Sequence, residues 1–183
     1  MTEETILNFP KQFAYEPVVV NADKLVVKNG VILSGMGGSA LAPALFSLCN
    51  PSLKLVVHKN YGLPVCENIK DYLLIASSYS GNTEETIDTF LSARKAGMHV
   101  AVIATGGKLL EMAKTEGIPY VELPDVGLQP RQALGYSLKA FLKLIGDEPA
   151  LEMVSGLANG WDVSAFREEG EKLAKDLQGA IPM

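Results

Sequence analysis

Short apolar runs alternate with amphipathic stretches along most of this chain. The runs fall at residues 31–33, 53–57, 73–76, 100–104 and 120–123, and none shows the every-second-residue polarity of a half-exposed strand. Strands of that kind, separated by helical patterns, are what a parallel sheet covered on both faces requires. The run at 31–33 leads through Ser34-Gly35-Met36-Gly37-Gly38-Ser39 into a predicted helix at 40–48, and the run at 53–57 closes with a loop at 58–64. The run at 73–76 leads through Ser77-Ser78-Tyr79-Ser80-Gly81-Asn82-Thr83 into a helix at 84–96. The run at 100–104 leads through Thr105-Gly106-Gly107 into a helix at 108–115. Within 84–96, Ile87, Phe90, Leu91 and Ala93 share one side, Glu85, Asp88, Ser92 and Lys95 share the other, and Gly97 supplies a stop. From Pro130 onward Leu134, Leu138, Phe141, Leu142 and Ile145 form a strong stripe ended by Gly146, apolar enough to pack on a sheet or on a partner. One or two further helices are expected over 149–178.

The pattern predicts an α/β fold: a three-layer αβα sandwich around a doubly wound, mainly five-stranded parallel sheet. The organisation expected is an N-terminal arm at 1–29, a sheet-bearing domain at 30–148 and a helical segment at 149–183. A chain of 183 residues, 48% hydrophobic and 20% charged, suits one such domain. The net charge of -5, with no basic block, argues against nucleic acid as a partner. Cys49 and Cys66 have no C-x-x-C spacing and no histidine cluster beside them, so neither a disulfide framework nor a metal site is expected. No apolar run approaches the ~20 residues of a membrane span. A cytoplasmic protein that does not contact membrane is the expectation.

The hydroxyl-rich loop is the candidate for chemistry. In open α/β sheets ligands sit at the carboxyl ends of strands, where unpaired amides and the positive end of a helix dipole favour an anion. Ser78, Ser80 and Thr83 add hydroxyl donors there, and Gly81 lets the backbone approach closely. Phosphate fits such a site. The same stretch also fits an ordinary helix lead-in, because Asn82 followed by Glu85 has capping-box spacing. The loop around Gly35, Gly37 and Gly38 also joins a strand to a helix, but it does not spell a dinucleotide fingerprint. Gly106-Gly107-Lys108 lacks the upstream glycine of a phosphate-binding lysine loop and reads as a tight turn. Arg131 follows Pro130 and is placed in a first helical turn, where the dipole disfavours a cation by about 0.3–1 kcal/mol. A ligand anion, or a carboxylate such as Glu122 or Asp125, would offset that; a purely structural arginine is the other reading.

The strand-Gly-Met-Gly-Gly-Ser-helix unit, the string Ser77-Ser78-Tyr79-Ser80-Gly81-Asn82-Thr83-Glu84-Glu85-Thr86, Gly106-Gly107-Lys108-Leu109 and Pro130-Arg131-x-Ala133-x-Gly135 together resemble the sugar isomerase (SIS) domain. Within that family the chain is similar to the N-terminal half of the bifunctional phosphoglucose/phosphomannose isomerases. The resemblance covers residues 31–146, and Tyr61-Gly62-Leu63-Pro64 fits it as well. It implies interconversion of glucose 6-phosphate or mannose 6-phosphate with fructose 6-phosphate, without metal or organic cofactor. It further implies that Ser78, Ser80 and Thr83 bind the phosphate of a hexose 6-phosphate, that Gly37, Gly38 and Ser39 line the sugar, and that Arg131 steadies an enediolate-like intermediate.

The same resemblance implies a second SIS domain, or a homodimer partner, because the family's glutamate base and ring-opening histidine match nothing in this chain. Gly179-Ala180-Ile181-Pro182 is similar to the lead into that second domain. His99 starts a strand and reads as structural, while His58 ends one on the ligand side. Glu84 and Glu85 read as first-turn acids that complement the helix dipole. A stand-alone single-domain isomerase acting as an oligomer, and a non-catalytic sugar-phosphate sensor, are the alternative readings. The helix from Pro130 is the expected contact face for a second copy.

Overall fold

The computed structural model describes residues 3–180. Five strands, β1 (Gly30–Ser34), β2 (Lys54–His58), β3 (Tyr72–Ser77), β4 (His99–Ala104) and β5 (Tyr120–Glu122), pair in the order β2-β1-β3-β4-β5, every pair parallel. The expected sheet is therefore the observed one.

Successive strand side chains point to opposite faces, and the burial shows both faces covered. Val31, Leu33, Leu73, Ile75, Ala101 and Ile103 pack in one cluster with Ala140, Phe141 and Leu144 of α5 (Leu134–Ile145) and with Phe46 of α2 (Leu41–Cys49). Ile32, Leu74, Ala76, Val100, Val102 and Ala104 pack in the other with Ile87, Phe90 and Ala93 of α3 (Glu84–Lys95) and Leu109, Leu110 and Ala113 of α4 (Gly107–Glu116). Runs without polar alternation follow directly in β1, β3 and β4, whose two faces are almost wholly shielded from water.

The sequence places a helix start at Pro130, and here the chain does otherwise. Pro130–Gln132 is one turn of 3-10 helix, closed by reciprocal bonds between Gln129 and Gln132, and α5 begins at Leu134. Nor is α5 an outward contact face. Ser137, Lys139, Ala140, Phe141, Leu142 and Leu144 are buried, because the sheet, the N-terminal arm, α2 and α6 (Glu148–Ser155) surround the helix. Its stripe is spent on the molecule's own core. Exposed apolar side chains stand instead on α2, at Leu41, Leu45 and Leu48, and on α6, at Met153.

The arm before β1 is built into the domain. After α1 (Glu3–Leu7), the 3-10 segment Phe9–Ala14 buries Pro10, Gln12 and Phe13. Farther on, Val20 bridges Tyr120 in antiparallel fashion, Asn21 and Lys24 donate to the carbonyls of Ile118 and Gly117, and the Tyr15 hydroxyl donates to the Glu122 carbonyl at 2.9 Å. These bonds cover the free edge of β5, which would otherwise offer unpaired backbone to another strand. The helical segment after α5 comprises α6, α7 (Leu157–Gly160) and α8 (Arg167–Asp176). None of the described residues beyond Leu151 is buried. Of the segment read as a lead into a further domain, Ile181 and Pro182 lie outside the described residues. Among the described residues, no helix is long and apolar enough to cross a membrane.

Candidate functional site

The strand order makes β1 the point where the chain switches direction across the sheet, with β2 on one side and β3 on the other. Crevices at such points, at the carboxyl ends of the strands, are where open α/β sheets take ligands. The loops after β1 and β3 meet there and are tied together. The Ser77 hydroxyl donates to the Ser39 carbonyl at 3.2 Å, and the Tyr79 amide donates to Ser39 Oγ at 3.0 Å. Ser39 is buried and joins the two loops; Gly37 is exposed and Gly38 half-buried beside it.

The hydroxyl-rich loop is internally braced. Ser78 is fully buried, with its Oγ 2.9 Å from Thr83 Oγ1, so it fixes the threonine that precedes α3. Ser80 is exposed, and its Oγ accepts the Asn82 amide at 3.3 Å. Gly81 turns the loop at φ +69, where a β-carbon would collide with the Gly106 carbonyl oxygen. Only glycine fits both the torsion and the approach.

The capping-box alternative at Asn82 and Glu85 is not what forms. Thr83 is the N-cap residue, and no side chain caps α3. Asn82 reaches sideways: its Oδ1 accepts the Lys108 amide at 3.1 Å and its Nδ2 donates to the Ser80 carbonyl at 3.2 Å. It therefore braces the start of α4 against the hydroxyl-rich loop. Thr105 adds to this, with amide and hydroxyl both donating to the Tyr79 carbonyl, at 2.9 and 2.6 Å. The turn at Thr105-Gly106-Gly107 is thus a buttress for the loop. A local pattern had no means of showing this, because the partners are more than twenty residues apart in sequence.

An uncapped helix start leaves amide donors and a partial positive charge at its end. Thr86, in the first turn of α3, is fully buried, and its hydroxyl has no hydrogen-bond partner among the described residues. The Tyr79 hydroxyl is likewise buried and, among the described residues, unpartnered; burial, with Asp125 and Tyr136 nearby, pushes its pKa up, so it stays protonated and able to donate. Neither hydroxyl is visible as special in the sequence. On the far side of α3's first turn, Asp88 accepts the Gly62 amide at 2.7 Å and the Tyr61 hydroxyl donates to Glu84 at 3.4 Å. Glu85, then burial and Glu84, raise the pKa of Tyr61. These carboxylates pin the loop after β2 to α3.

Arg131 comes to the same end of the sheet on the 3-10 turn before α5. A β-carbon on Gly38 would stand 2.5 Å from the Arg131 amide nitrogen. The two carboxylates that might neutralise the arginine are engaged elsewhere: Glu122 pairs with Lys114 at 2.8 Å, and Asp125 accepts the Gly127 amide at 3.4 Å. Among the described residues Arg131, which is exposed, has no carboxylate partner. His58 ends β2 near the site with Nε2 3.3 Å from the Tyr61 carbonyl, whereas His99 starts β4 at the opposite end of the sheet. Among the described residues no cluster of three or more histidine, cysteine or acidic side chains stands ready to hold a metal ion.

No family model matches the chain. It is 35% identical, in an alignment of 185 positions that takes in 98% of its length, to the bifunctional phosphoglucose/phosphomannose isomerase of Aquifex aeolicus, covering 56% of that protein. It is 39% identical, in an alignment of 165 positions that takes in 82% of its length, to the protein of the same name from Caldicellulosiruptor bescii, covering 47% of it. The chain thus spans about half the length of the curated relatives it matches. Among solved structures, a phosphosugar isomerase described as putative in Salmonella typhimurium LT2 shares the fold, with a TM-score of 0.55 and 17% identity over 97% of this chain and 56% of that one.

Proposed function

We propose that this chain, which belongs to the sugar isomerase (SIS) family, holds the phosphate of a hexose 6-phosphate at the start of α3, as one part of an enzyme that interconverts glucose 6-phosphate or mannose 6-phosphate with fructose 6-phosphate. The observation that carries this is the uncapped first turn of α3, flanked by Ser80 and by the Ser78–Thr83 hydroxyl pair, in a chain 35% identical over nearly its whole length to an isomerase of that specificity. Amides and hydroxyls bind a phosphate without a formal charge, which suits a substrate that must leave again. In this reading Gly37, Gly38 and Ser39 border the sugar, and Arg131, which has no carboxylate partner among the described residues, faces the negative charge that builds when a proton is taken next to the carbonyl.

Calorimetry with fructose 6-phosphate tests the site. Ser80→Ala and Thr83→Ala are expected to weaken binding by roughly tenfold each, the worth of a hydrogen bond to a charged group. Full affinity in both variants would refute it. The proton-transfer groups that the family uses are not matched here, so binding without turnover is expected of the 183-residue chain. Hexose-phosphate turnover at an ordinary enzymatic rate of ~1 per second or more would overturn that part.

The partner that completes the site, a second domain of the same fold or a second copy, is proposed to pack on the exposed Leu41, Leu45, Leu48 and Met153 of α2 and α6. Of these, Leu45 and Met153 line an apolar groove that also takes in Phe46, Leu138 and Val154. Sedimentation of the chain at tens of micromolar, with and without Leu48→Glu, tests a copy in that place. An association untouched by Leu48→Glu would put the contact elsewhere.

A further inference from the structure

Gln12 is 3% exposed and spends one end of its side chain on the turn that carries Arg131 and the other on the start of α5. Its Nε2 donates to the Gln132 carbonyl at 2.6 Å, and its Oε1 accepts the Gly135 amide at 3.0 Å. The two contacts lie on the α5 side of Arg131 and link positions 120 and 123 residues apart. Gly135 is needed for this approach, since a β-carbon there would stand 2.7 Å from Gln12 Cβ. One turn along α5, the fully buried Lys139 donates to the Phe13 carbonyl at 2.7 Å, fixing the residue beside Gln12. On its other side the turn rests on Gly38, where no β-carbon fits.

We infer that Gln12 is a positioning residue for Arg131: the N-terminal arm, through this glutamine, presses the turn at Pro130–Gln132 against the loop after β1 and so sets where the guanidinium meets substrate. The inference rests on the proposed function, in which Arg131 faces the reacting end of the sugar. A buried side-chain amide is an expensive choice for merely filling space, because all of its bonds must be met. Here one N–H and the oxygen are met by backbone groups one and four residues beyond the arginine. A group held that way keeps its position without reorganising when charge appears.

The test uses two ligands on the 183-residue chain, each followed by calorimetry. Inorganic phosphate reports the start of α3. Arabinonate 5-phosphate, whose carboxylate copies the charge of an enediolate, reports that site and Arg131 together. Gln12→Met keeps the length of the side chain and removes both bonds. It is expected to weaken arabinonate 5-phosphate by about tenfold while phosphate affinity stays within about twofold, since misplacement of an aligned group is felt at that group. In an Arg131→Ala background the same substitution should cost arabinonate 5-phosphate nothing further. Equal loss for both ligands, loss for neither, or a loss that persists without Arg131 would each overturn the inference. Should Gln12→Met fail to fold, Gln12→Glu, which keeps an oxygen for the Gly135 amide and removes the amide donor to the Gln132 carbonyl, is read by the same criteria. A wild-type chain that binds neither ligand refutes the proposed site and this inference with it; a wild-type chain that binds both, with Gln12→Met unchanged, refutes the inference alone.

Discussion

Gly38 and Arg131 touch backbone to backbone: a β-carbon on Gly38 would stand 2.5 Å from the Arg131 amide nitrogen and 2.8 Å from its Cα. Residues nearly a hundred positions apart are thus held in one wall. Gly38→Ala must part the two loops, at a cost of roughly 1–3 kcal/mol for overpacking a tight contact. Urea unfolding should show that loss, and calorimetry should show weaker arabinonate 5-phosphate with phosphate largely retained. An alanine variant as stable as the wild type would mean that the loops are not pressed together.

Gly81 is the pivot of the hydroxyl-rich loop, and Gly81→Ala meets two penalties there. The torsion is left-handed, and the added carbon strikes the Gly106 carbonyl. A loss of at least about 2 kcal/mol is expected. Gly62→Ala is the comparison, because its φ is +68 but a β-carbon meets nothing within 4 Å. It should cost only about 1 kcal/mol. Thermal melts of the two variants should therefore separate clearly, with Gly81→Ala the lower.

Asn82 braces α4 although it precedes α3. Asn82→Ala removes the acceptor for the Lys108 amide and should cost about 0.5–2 kcal/mol, as loss of a helix cap does. Asn82→Asp keeps that acceptor and should recover most of the loss. Amide exchange localises the effect: protection should fall in the first turn of α4, not of α3. Increased exchange confined to α3 would restore the capping-box reading.

Tyr15 lends the arm a dependence on pH. Burial first, then the nearby Glu122, pushes its pKa up to about 12 from the ordinary 10.0. Between those values the folded protein keeps a proton that the unfolded chain has released, so the hydroxyl's contribution is complete below pH 10 and is lost as the pH rises through about 12. Tyr15→Phe, which removes the bond to the Glu122 carbonyl, should be less stable than wild type by about 1 kcal/mol at pH 8. That gap should close as the pH climbs past 10. A gap that is constant from pH 8 to beyond 11 would show that the hydroxyl is not held in its protonated form.

The periodicity of the chain carries most of the architecture. Strands buried on both faces must be apolar throughout, and helices lying on a sheet must keep one apolar side, so β1 to β5 and α2 to α5 can be read from local composition alone. The candidate phosphate loop is equally local, since Ser78, Ser80, Gly81 and Thr83 are neighbours at a strand-to-helix junction. The strong stripe over α5 misleads in one respect: apolarity says that a surface is buried but not by what, and the N-terminal arm, α2, α6 and the sheet take the place expected for a partner.

Sequence alone determined which segments turn apolar sides inward and which junction gathers hydroxyls and glycine, because those properties follow from neighbours along the chain. Tertiary structure decided the rest: that Asn82 serves α4, that Ser39 ties the β1 and β3 loops, that Glu122 and Asp125 are engaged away from Arg131, and that Gln12 bonds to the backbone just beyond it. Most of these depend on groups brought together across tens of residues or more, and the hydrogen bonds and close approaches that join them exist only once the sheet has set their positions in space.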